Sequence, residues 1–458
     1  MKLKIFFLIS IFLPFLFSCG KKPNIHLKNI YPQHFKNMLN YNLTFEKNWW
    51  EYLNNRELNE LITQGLKNNY NIKIALTKIN QAKEYIIEKE SLLFPDISIN
   101  AGRSKSKQHL HNLPPFIPKT IETRLYNGNL LASYEIDFWG KLKNLSENSK
   151  HLFLLQKYSF EIVKKTVASN IAILYFRILK NRAKLKILKN ILSLLNFERK
   201  ILKNRYEKGL INVNTIYQIN AKIAEIKSSI PLLQAIVNND KYLLNFLVHN
   251  SVSNNFKIVE NKVDINNLKI PSNLPSDVLK RRPDVKVAIE KIFAEANIVN
   301  YAKANIFPSF KLTGQYGFEN KNLSDLIRNS SSLYSWVTNI FMTVFDFGAK
   351  NAKVRLEKEK LKQLKLEYYR KVLEVCKDVE IALINFKKLK EKYKNLISEL
   401  NDYKKIFYLK KSDYKHGISS LIEMINCKND ILNVQLKIIE NKFEIIQQYI
   451  KTLKELGY

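Results

Sequence analysis

Two stretches of 68 residues each, Lys141–Lys208 and Ala349–His416, contain neither proline nor glycine. If helical, each would run roughly 100 Å, which is too long to fold back into an ordinary globular core. Within the second, Val372, Val375, Val379, Leu383 and Phe386 recur at spacings of three and four, the stripe of a helix that packs along neighbours as in a coiled coil. Each stretch then meets a glycine, in "KNRYEKGLIN" from Lys203 and in "KSDYKHGISS" from Lys411. Because glycine turns a chain at little steric cost, Gly209 and Gly417 are expected to be tight helix-to-helix turns. The periodicity continues beyond them to Val248 and Leu456.

The two halves are copies of one plan. "YNIKIAL" at Tyr70 matches "PDVKVAI" at Pro283, and "FPDISI" at Phe94 matches "FPSFKL" at Phe307. "DFWGKLKN" at Asp137 matches "DFGAKNAK" at Asp346, and Tyr206-x-x-Gly209 matches Tyr414-x-x-Gly417. Four matches in one order, at an almost constant offset, mark a duplicated unit.

In each half a helical segment, Glu57–Leu92 or Ser276–Asn305, ends before Phe94-Pro95 or Phe307-Pro308, where proline forbids continuation. Strands follow, about 96–105 and 128–138 in the first half, and about 309–319 and 335–346 in the second. "SFKLTGQYGFE" alternates Phe310, Leu312, Gly314, Tyr316 and Phe318 against Ser309, Lys311, Thr313, Gln315 and Glu319, a period of two. "SWVTNIFMTVFD" alternates less cleanly. The connecting loops, about Lys105–Asn127 and Asn320–Ser335, read as solvent-exposed. Residues 57–249 and 276–458 form the two repeats, with a polar linker at 250–275 between them.

Lys and Arg number 75 against 41 Asp and Glu, a net charge of +34. Since the basic residues are spread along helix faces, with no zinc-finger spacing or aromatic RNA-binding motif, the charge does not point to nucleic acid. The start, "MKLKIFFLISIFLPFLFSCGKK", has a basic beginning, an apolar centre from Ile5 to Phe17 and small Ser18 before Cys19. This is the pattern of a secretory signal over 1–18, followed by a segment over 19–56. Beyond it no apolar run is long enough for a spanning helix, so strands would have to cross any membrane. Four strands cannot close a barrel, and open edges in lipid leave backbone groups unsatisfied, so oligomerisation follows if these strands span a membrane; the other reading is a soluble β-ribbon.

These features together resemble the TolC-like outer-membrane factor family, in its lipoprotein branch. The carriers are Cys19 after Leu16-Phe17-Ser18, "SYEIDFWGKLKN" at Ser133, "RYEKGLINVNTIYQINAKIAEIKSSIP" at Arg205, and "LPSDVLKRRPDVKVAIEKIFAEANIVNYAKANIFPSFKLTG" at Leu274. The resemblance implies an α+β membrane protein, a homotrimer in which four strands per chain build a 12-stranded outer-membrane β-barrel continued by a long periplasmic α-helical barrel. It implies lipidation of Cys19 in the outer membrane, a periplasmic adaptor docking on the helix tips, and an inner-membrane exporter as the source of energy. It further implies that Tyr206, Gly209, Tyr414 and Gly417 form the tips, that Tyr414 helps to hold a closed state, and that Glu423 is an inward carboxylate ringing the aperture. Asn426 and Thr215 stand where further acids often occur, so Glu423 would carry the ring alone.

No nucleotide loop, GxSxG, HExxH or CxxC is found, so no enzyme, cofactor or metal site is expected; His109 and His111 read as solvated loop residues. Cys376 and Cys427 read as small buried hydrophobes. The expected function is a passive efflux duct for small toxic compounds. The alternatives are a protein-secretion duct of the same fold and a surface lipoprotein acting as a coiled-coil rod.

Overall fold

The computed structural model describes residues 25–37, 48–109, 120–249, 251, 258, 264–271 and 275–458. The signal segment, Cys19 and His111 lie outside the described residues. In the first half, helices α1 (Arg56–Asn68) and α2 (Tyr70–Ser91) precede strands β1 (Asp96–His109) and β2 (Thr120–Ile136), then helices α3 (Lys141–Glu207) and α4 (Val213–His249). The second half repeats this order with α5 (Pro275–Arg281), α6 (Pro283–Ala304), β3 (Ser309–Asn320), β4 (Ser332–Phe341), α7 (Ala349–Lys415) and α8 (Leu421–Glu455). The long helices are 67 residues each, which the absence of Pro and Gly permits.

The structure corrects several boundaries. Each leading helical segment is two helices. In the first half the break is at Asn69, which leaves helical geometry and donates from Nδ2 to the Leu247 carbonyl at 2.9 Å. In the second half it falls at Arg282, where Pro283 bars its predecessor from the α region. Strands β1 and β2 run 4 and 8 residues further into the proline-bearing loop than expected, because their ladder continues to His109↔Thr120. Strand β4 is shifted towards the N-terminus and stops at Phe341; the run 342–346, read as strand, is not. Within the linker, Ile258, Ile265, Leu268 and Ile270 are buried, so where it is described it packs on helices.

The chain divides into two compact units. The first contains Lys78–Lys157 and Val287–Tyr368, and its centre is a four-stranded antiparallel sheet in the order β1-β2-β3-β4. The β2–β3 pairing, from Tyr126↔Asn320 to Ile136↔Phe310, joins the two repeats. Directly paired residues share a face, so the register sorts the side chains. Ile97, Ile99, Leu130, Ala132, Tyr134, Phe310, Leu312, Tyr316, Tyr334, Trp336 and Ile340 stand on one side; Ser98, Asn100, Ser133, Glu135, Lys311, Gln315, Ser335 and Asn339 stand on the other. A Cβ at Gly314 would meet the Trp336 ring at 2.8 Å, so this glycine makes room for the aromatic across the strand. At the strand ends Trp139 stacks on Phe307, their centroids 4.6 Å apart, and donates from Nε1 to the Pro308 carbonyl at 2.9 Å.

Within the same unit, α3 and α6 meet through Asn148 Nδ2 donating to the Ala294 carbonyl at 2.9 Å, and through His151 beside Glu290 at 2.7 Å. It also holds a carboxylate pair, Glu295 on α6 and Glu357 on α7. Lys353 and Lys360 hold Glu357 at 2.8 and 2.9 Å, while Glu295 Oε1 is buried without a donor. Burial and the adjacent Glu357 push the Glu295 carboxyl up to about 7. Burial acts on Glu357 in the same sense, yet the two lysines and the Glu295 acid proton outweigh it and hold Glu357 near 2. With Glu295 protonated the pair carries one negative charge in place of two, although Glu295 Oε1 keeps no donor.

The second unit, Asn29–Thr77, Tyr158–Lys286 and Tyr369–Tyr458, is helical. Its core includes Tyr175, Phe386, Leu383, Ile171 and Tyr449, all nearly inaccessible. Lys36 and Asn37 donate backbone N–H groups to the Glu380 carboxylate, fixing the N-terminal segment on α7 beside buried Phe35. Among the described residues no helix is long and apolar enough to cross a membrane.

Candidate functional site at the two helical turns

Both glycine turns lie in the second unit and close in the same way. Gly209 has φ +71° and Gly417 +76°, the left-handed region that strains any residue with a Cβ. Nothing lies within 4 Å of a Cβ built on either, so glycine is there for its φ and not for space. The Gly209 N–H donates to the Tyr206 carbonyl at 2.8 Å and the Leu210 N–H to the Arg205 carbonyl at 2.9 Å. Gly417 and Ile418 repeat this on Tyr414 and Asp413 at 3.1 and 2.8 Å. These nested bonds are the Schellman closure of a helix C-terminus. The acceptor three residues before each glycine is a main-chain carbonyl, which any residue could supply, so the closure does not itself call for tyrosine; both phenols are exposed. The residue after each glycine is apolar and open to solvent, Leu210 at 69% and Ile418 at 78%.

Away from the turns the hairpins zip together. Ile187, Leu188, Ile191, Leu195 and Leu202 of α3 bury against Ile219 and Ile223 of α4 and Leu432 of α8, the stripe expected from spacings of three and four. Glu198 faces inward on α3; burial raises its pKa, opposed by Lys222 of α4.

The second turn is the polar one. Ser420 is the N-cap of α8, its Oγ accepting from the Glu423 N–H at 3.2 Å, so Ser420 and Glu423 stand in capping-box positions. The Glu423 carboxylate does not stand alone. Lys410 of α7 donates to its Oε2 at 2.7 Å, and Ser419 Oγ donates to the same oxygen at 3.1 Å. The Lys410 ammonium, followed by Ser419, holds the Glu423 carboxyl below the usual carboxylate range. Sequence reasoning missed Lys410, although the signal was there: it stands seven residues before Gly417 and Glu423 six after, facing positions across a hairpin. The same positions in the first repeat hold Leu202, buried in the hairpin core, and Thr215. Asn426, one turn beyond Glu423, is exposed.

The "KRRPDV" run proves to be a structural clamp away from the turns. Arg282 Nε and Nη2 donate to the Asp284 carboxylate at 2.9 and 2.7 Å, and Nη1 donates to the Glu455 carbonyl at 2.8 Å. Lys371 adds a second cation to Asp284 at 3.0 Å. Burial disfavours the Asp284 charge, but Arg282 and Lys371 outweigh it and hold the carboxyl near 2. His109 Nδ1 pairs with Thr120 Oγ1 across the β1–β2 ladder at 2.8 Å. Among the described residues no group of three or more His, Cys, Asp or Glu could hold a metal.

Comparison with known proteins places these elements in context. The family described as outer membrane efflux protein matches residues 61–235 and 274–456. The cation efflux system protein CusC of Escherichia coli (strain K12) is 23% identical over 392 residues, covering 86% of this chain and 84% of that protein. The probable outer membrane lipoprotein SilC of Salmonella typhimurium is 23% identical over 419 residues, 89% of this chain and 87% of that protein. The crystal structure of the Campylobacter jejuni CmeC outer membrane channel superposes with a TM-score of 0.85 at 24% identity, covering 95% of this chain and 94% of that one.

Proposed function

The chain belongs to the outer membrane efflux protein family, and on that premise we propose that it works as a homotrimer whose three sheets close one barrel. It is an outer-membrane efflux channel with the α+β fold of that family. The observation that carries the trimeric reading is the sheet: four strands that, over 96–101, 128–136, 309–318 and 332–341, have one mainly apolar and one mainly polar face, ending in two edges, β1 and β4. In a bilayer such edges cost several kcal/mol per unsatisfied group, and joining β4 of one copy to β1 of the next removes them. The apolar face then meets lipid and the polar face lines the lumen, the alternation of an outer-membrane barrel. Trp139 and Phe307 suit the aromatic girdle at the interface.

Within this reading, Cys19 carries the lipid anchor that tethers the chain to the outer membrane. The turns at Tyr206–Gly209 and Tyr414–Gly417 form the periplasmic tips, where exposed Leu210 and Ile418 offer apolar knobs to a periplasmic adaptor. An inner-membrane exporter supplies the energy, and Glu423 belongs to the aperture at the second turn. The cargo is small toxic compounds. The test is the native mass of detergent-extracted protein and its conductance after reconstitution into planar bilayers. A trimer with ohmic pores is expected; a monomer at every concentration defeats the closure argument.

A further inference from the structure

We propose that the aperture at the helix tips favours anions, because Lys410 neutralises the one carboxylate positioned there and leaves an excess of lysines and arginines around the turns. This deepens the aperture reading above and rests on it. The Glu423 carboxylate has three donors: Lys410 Nζ at 2.7 Å and the Ser419 hydroxyl at 3.1 Å on Oε2, and the Ser420 hydroxyl at 3.4 Å on Oε1. A carboxylate so engaged presents little net charge to a passing ion.

Most of the remaining acids near the turns are engaged as well. Asp402 is paired with Lys405 at 3.2 Å and Glu207 with Lys203 at 3.9 Å, while Glu198 is buried in the hairpin core. Residues 198–222 and 402–430 contain twelve Lys and Arg against six Asp and Glu, so Asp413 and Asp430 are left to face a much larger set of cations. Arg199, Lys200, Lys208, Lys404, Lys411 and Lys415 are exposed, and none is in an ion pair among the described residues. In a three-copy ring every such charge is tripled, and a narrow mouth between low-dielectric walls focuses the field. Asn426 and Thr215 are neutral where acids could oppose this field.

Lys410 and Glu423 thus act as a compensated pair whose halves tune selectivity in opposite directions. Anionic and neutral compounds would accordingly enter the duct from the periplasm more readily than cationic ones.

The test is the reversal potential of the reconstituted channel in a KCl gradient at low ionic strength, where screening is weak. Wild type is expected to pass chloride over potassium. Lys410→Gln, which bares Glu423, should move the chloride-to-potassium permeability ratio down by roughly two- to fivefold, the effect of one charge per copy at about 10 Å. Glu423→Gln should move it up by a similar factor, and the double variant should return to the wild-type value. Both side chains reach solvent, 37% and 51% exposed, so folding is preserved and trimer content serves as the check. A cation-selective wild type, or a ratio that Lys410→Gln leaves unchanged, overturns the proposal while leaving the channel intact. Absence of conductance at any voltage overturns the channel reading itself.

Discussion

The shared proton between Glu295 and Glu357 makes the helices of the sheet-bearing unit sensitive to pH near neutrality, and Glu295→Gln isolates the effect. The Glu295 carboxyl is raised from 4.5 to about 7, chiefly by burial and then by the facing Glu357. A raised acid stabilises the fold while protonated; this contribution is complete below 4.5 and is lost as pH rises through about 7. Glu357 behaves oppositely, contributing above 4.5 and losing its contribution as pH falls towards 2. Around the pair, Lys353 and Lys360 hold Glu357, Lys150 pairs with Glu90 and Glu147, and His151 bonds to Glu290. Displacing one carboxyl from 4.5 to about 7 corresponds to about 3 kcal/mol, and part-exposure of Glu295 reduces this to about 1–2 kcal/mol. Gln keeps a donor towards Glu357 at every pH, so its contribution does not titrate. The assay is hydrogen exchange of peptides covering residues 292–300 and 354–361, corrected for intrinsic rates, at pH about 5.5 and about 8.5, on either side of the Glu295 transition. Because a pH of about 5.5 already lies one unit above 4.5, about three-fifths of this contribution falls within the window, so protection in wild type relative to Glu295→Gln should fall roughly three- to eightfold between the two. A ratio that stays constant across this range would falsify the shared-proton assignment.

Two further outcomes are expected. Arg282→Ala leaves Asp284 and Glu455 largely buried without their shared guanidinium, so denaturant unfolding should show a loss of about 3–5 kcal/mol; an unshifted midpoint removes the clamp role. Cys19→Ala should abolish metabolic labelling by fatty acid, and persistent labelling of the variant would place the anchor elsewhere.

How much was legible in advance differs by element. The absence of Pro and Gly in Lys141–Lys208 left the long helix unopposed, because helix formation is governed by near neighbours; a single breaker is not decisive, since α4 continues through Pro231. Gly209 and Gly417 were readable for the same reason: positive φ at a helix end is a property of one residue and the four before it. The strand faces followed from a period of two, and the β2–β3 register matches that alternation residue by residue. Strand ends were misplaced because β1 and β2 extend as far as each finds a partner, which composition does not encode. The division of the leading segments was half visible, since Pro283 announced a break and Asn69 did not.

The candidate site divides along the same line. The sequence by itself determined the duplicated plan, the turns and the inequality between them, because each depends on contacts within a few residues. Only the tertiary structure decided that Glu423 is bound by Lys410, that Arg282 is a clamp on the distant Glu455, and that Glu295 meets Glu357. Charge at a given point depends on which groups packing brings within a few ångströms, and Coulomb energy responds to that distance and not to separation along the chain.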